Sequence, residues 1–270
     1  MTQLEYRRPV VAVVGAGAAG VAAAAECQLI GFDTLLIDEQ SRIGGRYAAD
    51  NPAQPPKKFG FRKGNLKHHR FSGSAASACE HLEKAVEFAK PRVALNTRVT
   101  GASFDKERAQ WILSTEPSNQ AAASNDDEQV IADVIIVATG NSDIGEVTGP
   151  NGRSFDLPGA HLHQSMEPIG IPNILVVDAE EPAPAGFFGY PLDIVEAKAD
   201  AAQRWVRQLE VHGPGALQVD VTYWLATAPT RAKVKNAVST FSERSHVFTP
   251  RQHLQKKPER AQRSSSKKGA

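Results

Sequence analysis

The stretch VVGAGAAGVAAAAECQLIGFDTLLIDEQSRIGGRY, Val13 to Tyr47, decides how this chain folds. Val10 to Val14 is an apolar, mostly β-branched run of the kind buried on both faces of a parallel sheet, and it stops at Gly15. The turn that follows carries Gly15, Gly17 and Gly20 in the order GxGxxG. Gly15 permits the tight turn, Gly17 lets the main chain approach a pyrophosphate, and Gly20 lets the following helix lie close on the strand. From Ala18 to Leu29 the sequence is strongly helix-forming, so the amides around Ala18 and Ala19 open a helix N-terminus toward the phosphates. The dipole there contributes about 0.3–1 kcal/mol. Gly31 ends the helix, and Thr34 to Asp38 is a second apolar strand closing on a carboxylate where the ribose hydroxyls of an adenosine arrive. Asp38 is the expected ribose ligand, and Glu39 reads as a solvated strand-end charge.

Composition bounds what such a dinucleotide site belongs to. With 270 residues, 41% of them hydrophobic, the chain can bury one moderate core or two small ones. The net charge of +1 hides an asymmetry: Pro229 to Ala270 holds eleven Lys and Arg against two Glu, so the basicity belongs to the tail. Two cysteines, Cys27 and Cys79, make neither a CxxC pair nor a four-ligand zinc site, and Cys27 reads as a small buried apolar group. The first residues lack a signal-peptide core and no stretch is long enough to span a bilayer, so a soluble, cytoplasmic protein is expected.

After the second strand, Gly44 and Gly45 allow the backbone close to an extended ligand. Here the sequence resembles the two-dinucleotide-binding flavoproteins, in which an acid and then a glycine pair follow the first βαβ unit and FAD is the ligand. Gly44-Gly45-Arg46 is similar to the amine-oxidase type, whereas in flavin-containing and Baeyer–Villiger monooxygenases a small residue and Trp follow the pair, and Tyr47 would stand in for that Trp. Later segments resemble the monooxygenases. Leu95 to Glu116 alternates like an antiparallel pair, and ADVIIVATG, Ala132 to Gly140, is a buried strand ending in the ATG that marks the return to the FAD sheet. The resemblance implies that Val99, Thr139 and Gly140 face the cofactor. LPGAHLHQSMEP, Leu157 to Pro168, is similar to the FxGxxxHxxx(W/D) fingerprint of the Baeyer–Villiger enzymes, with Gly159 and His163 in place, Leu157 for the Phe and Glu167 at the last position. Ile174 to Val177 delivers Asp178 where the family sets an acid against the ribityl chain, although Val177 stands where a Gly usually precedes it. Pro191 to Leu209 then reads as a helix with a core face of Ile194, Val195, Ala201, Ala202, Trp205 and Val206.

The resemblance therefore implies a doubly wound α/β fold, with a largely parallel FAD-binding sheet and an antiparallel crossover meander. Residues 1–209 are expected to form the FAD-binding domain and 210–270 a basic, partly disordered extension. Between His163 and Pro172 there is no room for the second βαβ unit that holds NADPH in the monooxygenases, so that domain is expected to be missing. NADPH would then act only as a weakly bound co-substrate, and a reductase partner could supply electrons to oxygenate a small organic substrate. His163 is the candidate catalytic residue. No metal site and no specific nucleic-acid partner are expected: adjacent His68 and His69 in the basic loop Asn51 to Arg70 point apart, and the tail lacks aromatic interleaving. Two alternatives stay open: a non-catalytic, truncated flavoprotein acting as a binding module, and an amine-oxidase-like flavin oxidase.

Overall fold

The computed structural model of the chain describes residues 8–50, 52–55, 59–61, 70–71, 74–118, 128–163, 166–178, 191–212 and 215–218. Much of the basic loop, including its histidine pair, most of the 217–226 alternation and the C-terminal tail lie outside the described residues.

β1 (Val10–Val14), α1 (Ala18–Leu29) and β2 (Asp33–Ile37) form the first unit, with β1 and β2 parallel from Val10↔Asp33 to Val14↔Ile37. The chain continues through β3 (Phe59–Gly60) and β4 (Arg70–Phe71), which pair with each other, to α2 (Ala75–Ala89) and β5 (Arg92–Ala94). β6 (Thr97–Asp105), β7 (Gln110–Pro117), β8 (Glu128–Ala132) and β9 (Val134–Val137) follow, then β10 (Glu146–Thr148) and β11 (Ser154–Phe155). The hairpin β12 (Leu162–His163) with β13 (Glu167–Pro168), the strand β14 (Ile174–Val176) and the helix α3 (Pro191–His212) complete the order.

The first sheet is all parallel in the order β14-β9-β1-β2-β5. Strand order reverses at β1, and the crevice above that point is where ligands bind in open α/β sheets. The reason β1 occupies the centre is visible in its residues: Val11, Ala12 and Val13 are fully buried, as a strand covered on both faces requires. α1 is apolar almost all round, with Gly20 to Cys27 buried, and packs between α2 and α3. α2 starts at Ser74, whose Oγ accepts from the Ser77 amide at 3.1 Å, and buries Ala78, Leu82, Ala85 and Ala89 at helical spacing. The helix expected from Pro191 runs on to His212, with Ala201, Ala202, Trp205 and Val206 buried against the core.

The crossover is larger than an antiparallel meander. β6, β7 and β8 are antiparallel as expected, but β10 joins β6 in parallel and β11 extends the edge, giving a five-stranded mixed sheet in the order β11-β10-β6-β7-β8. Gly145, with φ +78°, makes this approach possible, because a Cβ there would lie 1.9 Å from the Thr100 carbonyl oxygen. Trp111 anchors the sheet: its ring meets Phe104 edge-on at 5.1 Å and its Nε1 donates to the Pro172 carbonyl at 3.1 Å.

Beyond α3, residues 215–218 return to the core at Asn173, which is almost fully buried. Its Nδ2 donates to the Asp133 and Gly215 carbonyls at 2.9 and 3.0 Å, and its Oδ1 accepts from the Leu217 amide at 2.7 Å. Asn173→Ala removes three hydrogen bonds and leaves buried backbone groups unpaired, so it should lower unfolding stability by about 2–4 kcal/mol in urea titration.

Candidate dinucleotide site

The corner where β1, α1 and β9 meet is built around missing side chains. Gly15, at φ +108°, has its would-be Cβ 2.3 Å from the Ala138 carbonyl oxygen, and Gly20 has its own only 1.7 Å from the Gly15 carbonyl oxygen. Gly17 is different. A Cβ there meets nothing closer than the Gly45 Cα at 3.8 Å, so the protein leaves the space beside it open. Gly17 also caps α1 without any side-chain hydrogen bond, and the first turn holds no acidic residue. The half-buried Ala18 and Ala19 open that turn, the arrangement in which helix N-terminal amides can take an anion.

Gly44 and Gly45 are welded to that turn. The Gly44 amide donates to the Ala16 carbonyl at 2.9 Å, and a Cβ on Gly45 would lie 2.8 Å from the Gly17 Cα. A Cβ on Gly44 would lie 2.6 Å from Cys79 Sγ. The pair is therefore required by packing within the protein before any ligand is considered. It leads into a short 3-10 turn, Gly45–Tyr47, that buries Tyr47 and leaves Arg46 exposed at the rim.

Two buried carboxylates staple the ends of the strands. Asp38, at the end of β2, accepts from the Ala16 amide through Oδ2 and from the Gln40 amide at 2.8 Å through Oδ1. Asp178, just after β14, accepts from the Gly140 amide at 2.8 Å and from both the amide and the hydroxyl of Ser142 at 3.1 Å. The buried Lys198 ammonium donates to the Asp178 carbonyl at 2.6 Å. Burial pushes both carboxyl pKa values up, against the opposing pull of the amides and, for Asp178, of the Ser142 hydroxyl and Lys198. Burial raises the Cys27 thiol likewise, as expected of an inert core cysteine.

One cleft of ≈ 1060 Å³ runs along the carboxyl ends of these strands. It brings together Gly15, Gly17, Ala18, Ala19, Asp38, Gly44, Gly45, Arg46, Tyr47, Val99, Thr139, Gly140 and Asp178. Gly20 lies beneath the turn, against Gly15. His163 sits in the short hairpin paired with Glu167, and its side chain lies outside the described residues. The cleft also includes residues that the motifs do not mark. Glu39 is ion-paired at 2.9 Å with Arg98 from β6, rather than simply solvated, and both line the wall beside Thr97. Leu192, Ile194 and Val195 give α3 a second face: they are buried yet border the cleft. Among the described residues no group of His, Cys, Asp and Glu is arranged to hold a metal, and no helix is long and apolar enough to cross a membrane.

Residues 13–82 match the family model of an NAD(P)-binding Rossmann-like domain. The chain is similar to a ferredoxin–NADP reductase of Acidiphilium cryptum, 35% identical over 98 residues, 35% of this chain and 26% of that relative. It is also similar to a nicotine dehydrogenase of Pseudomonas putida, 48% identical over 50 residues, 18% of this chain and 10% of the relative. The matched part thus spans about a quarter or less of these relatives. Among solved structures, an open form of cyclohexanone monooxygenase is 18% identical with TM-score 0.40, over 50% of this chain and 27% of that one. A steroid monooxygenase bound to NADP is 20% identical with TM-score 0.39, over 55% and 28%.

The raised carboxyl pKa values carry a sign. A folded pKa above the unfolded value contributes stability that is complete below the unfolded pKa and is lost as pH rises through the folded one. The stability of the wild type relative to Asp178→Asn should therefore fall as pH rises above the ordinary carboxylate pKa of about 4, read from urea midpoints at a series of pH values.

Proposed function

We propose that the cleft holds FAD and that the chain is an FAD-dependent oxidoreductase of monooxygenase type, acting on a small organic substrate with electrons from NAD(P)H or a reductase partner. The observation that carries this reading is one cleft of ≈ 1060 Å³ whose lining joins the open Gly17 turn, the end of β2 at Asp38 and the Gly140–Asp178 corner. That volume lies just above the usual range for small-molecule sites, about 300–1,000 Å³, which suits an extended dinucleotide. The space a Cβ on Gly17 would fill, and the uncapped first turn of α1, suit a pyrophosphate.

In this reading each residue has a limited task. The amides at Ala18 and Ala19 hold phosphate oxygens, and Asp38, already carrying two amides, directs its remaining lone pairs toward ribose hydroxyls. Asp178 orients the Gly140–Ser142 corner and accepts from the ribityl chain, while Lys198 holds the Asp178 backbone in place. Leu192, Ile194 and Val195 exclude water from that end. His163 is kept as the candidate catalytic residue. FAD, when bound, supplies the two-electron and oxygen chemistry that no amino-acid side chain provides.

A second reading, direct oxidation of an amine, is favoured by Gly44-Gly45-Arg46 and by the 50-residue similarity to a nicotine dehydrogenase. The similarity to ferredoxin–NADP reductases supports electron exchange with a partner protein or with NADPH.

Purified chain should take up FAD with a yellow spectrum, and Gly17→Val should abolish uptake while far-UV circular dichroism stays that of the wild type. Normal uptake by that variant would place the ligand elsewhere. Anaerobic reduction should then separate the chemistries. NADPH is expected to reduce the loaded protein slowly, without saturation and less well as salt is added, since the chain has no second GxGxxG. Rapid reduction by an amine would select the oxidase, and reduction by no donor would leave a binding module.

A further inference from the structure

Lys198 is buried in α3, and its ammonium donates to the Asp178 main-chain carbonyl at 2.6 Å. It follows Ile194 and Val195 by one helical turn, so it stands on the face of α3 that borders the cleft. Taking an ammonium out of water is costly unless an anion compensates it, and a neutral amide donor would serve a carbonyl as well. The charge is explained by what the same residue carries. The Asp178 carboxyl receives three donors: the Gly140 amide at 2.8 Å on Oδ1, and the Ser142 amide and hydroxyl, both at 3.1 Å, on Oδ2. Such a set suits the ionised, acceptor-only form, since a proton on Oδ2 would displace one of its donors. Ser142 holds its two donors there at φ +60°, in the left-handed region that a non-glycine residue seldom adopts. Burial works the other way and favours the neutral acid, opposed by the Gly140 amide, the Ser142 hydroxyl and Lys198. Asp143 lines the same cleft and Glu196 is buried on α3, yet the charged group that acts on this carboxyl is Lys198.

We propose that Lys198 is a positioning residue whose charge keeps Asp178 ionised, so that the Gly140–Asp178 corner accepts ligand hydroxyls at neutral pH and loses part of its hold on them in acid. The inference rests on the reading of the cleft as the FAD site, where ribityl hydroxyls are the donors that Asp178 receives. Oδ1 carries one amide and keeps a lone pair for such a hydroxyl. A hydrogen bond to a charged group outweighs one between neutral groups by a factor of about ten in binding. Protonation of Asp178 therefore weakens the ligand, and the sign is fixed. Affinity falls as pH drops through the point at which the carboxyl takes up its proton, and losing the Lys198 charge moves that point to higher pH. A lysine there only to tie the Asp178 carbonyl to α3 could be replaced by another donor of similar reach without moving it.

The test uses the full chain as wild type, Lys198→Gln, Lys198→Arg and Asp178→Asn, with Lys198→Gln also placed in the Asp178→Asn background. FAD affinity is titrated by flavin fluorescence from neutral to acid pH. In the ligand-free chain the Asp178 carboxyl is followed by NMR of labelled aspartate carboxyl carbons, its signal assigned by its absence from Asp178→Asn. Lys198→Gln keeps a donor for the carbonyl but not the charge. It should lose affinity at a higher pH than the wild type, by about tenfold where the wild type still binds fully, and its Asp178 carboxyl should titrate at correspondingly higher pH. Lys198→Arg should restore both curves, and in the Asp178→Asn background Lys198→Gln should leave the pH profile unchanged. Asp38, which lines the same cleft, titrates alike in these chains and cancels in the comparison. Overlapping curves for Lys198→Gln and wild type, with an unmoved Asp178 carboxyl, overturn the charge role and leave a backbone tie. Should the substitutions prevent folding, a wild-type Asp178 that is protonated at neutral pH overturns it without any variant. Folded wild type that takes up no FAD removes the cofactor reading, whereas the carboxyl titration still decides whether Lys198 holds the Asp178 charge.

Discussion

Helix α1 can lie against β1 only because residue 20 has no Cβ: one placed there would sit 1.7 Å from the Gly15 carbonyl oxygen. That contact sets where the helix begins, and so where its unbonded amides point. The rest of the corner follows from the same closeness. Ala138 at the exit of β9 presses its carbonyl against Gly15, and Gly45 rests on Gly17, so three chain segments distant in sequence converge on a single backbone turn. Close-packed interiors do not yield to a methyl group at such distances without displacing an element.

What this corner leaves open matters as much as what it closes. Gly15, Gly20, Gly44 and Gly45 are each blocked by protein atoms, whereas Gly17 faces space. In the proposed reading, that space at the head of the uncapped helix α1 is the part of the corner left for a pyrophosphate. The carboxylates frame that space. Asp38 ties the glycine turn to the end of β2, and Asp178 ties the exit of β9 to the segment after β14, each offsetting part of the cost of burial with backbone amides. The same hydrogen bonds that hold the loops in place thus leave the acids facing the cleft with their remaining lone pairs.

Much of this was legible in the linear pattern. A buried β-branched run, a GxGxxG, an alanine-rich helix and an acid closing the next strand are local consequences of local residues, and the parallel unit from Val10 to Ile37 follows them closely. α2 was not read from the sequence, although Ser74 followed by Ala78, Leu82, Ala85 and Ala89 at helical spacing is a signal that could have found it. Less legible was the second sheet. Its alternation announces an antiparallel pair, but β10 is only three residues long, and its parallel addition to β6 depends on Gly101 and Gly145 meeting across the sheet.

By itself the sequence determined the first βαβ elements and many of the residue types that line the cleft, because helix, strand and glycine turn are each dictated within a few residues. Only the tertiary structure decided which of those residues meet. It turned Glu39 from a strand-end charge into the partner of Arg98, gave Ile194 and Val195 a cleft to border as well as a core to fill, and made the Gly44–Gly45 pair a packing requirement against Gly17 and Cys79. Each of those roles depends on a contact between positions more than twenty residues apart, and neither periodicity nor propensity reports distance across a fold.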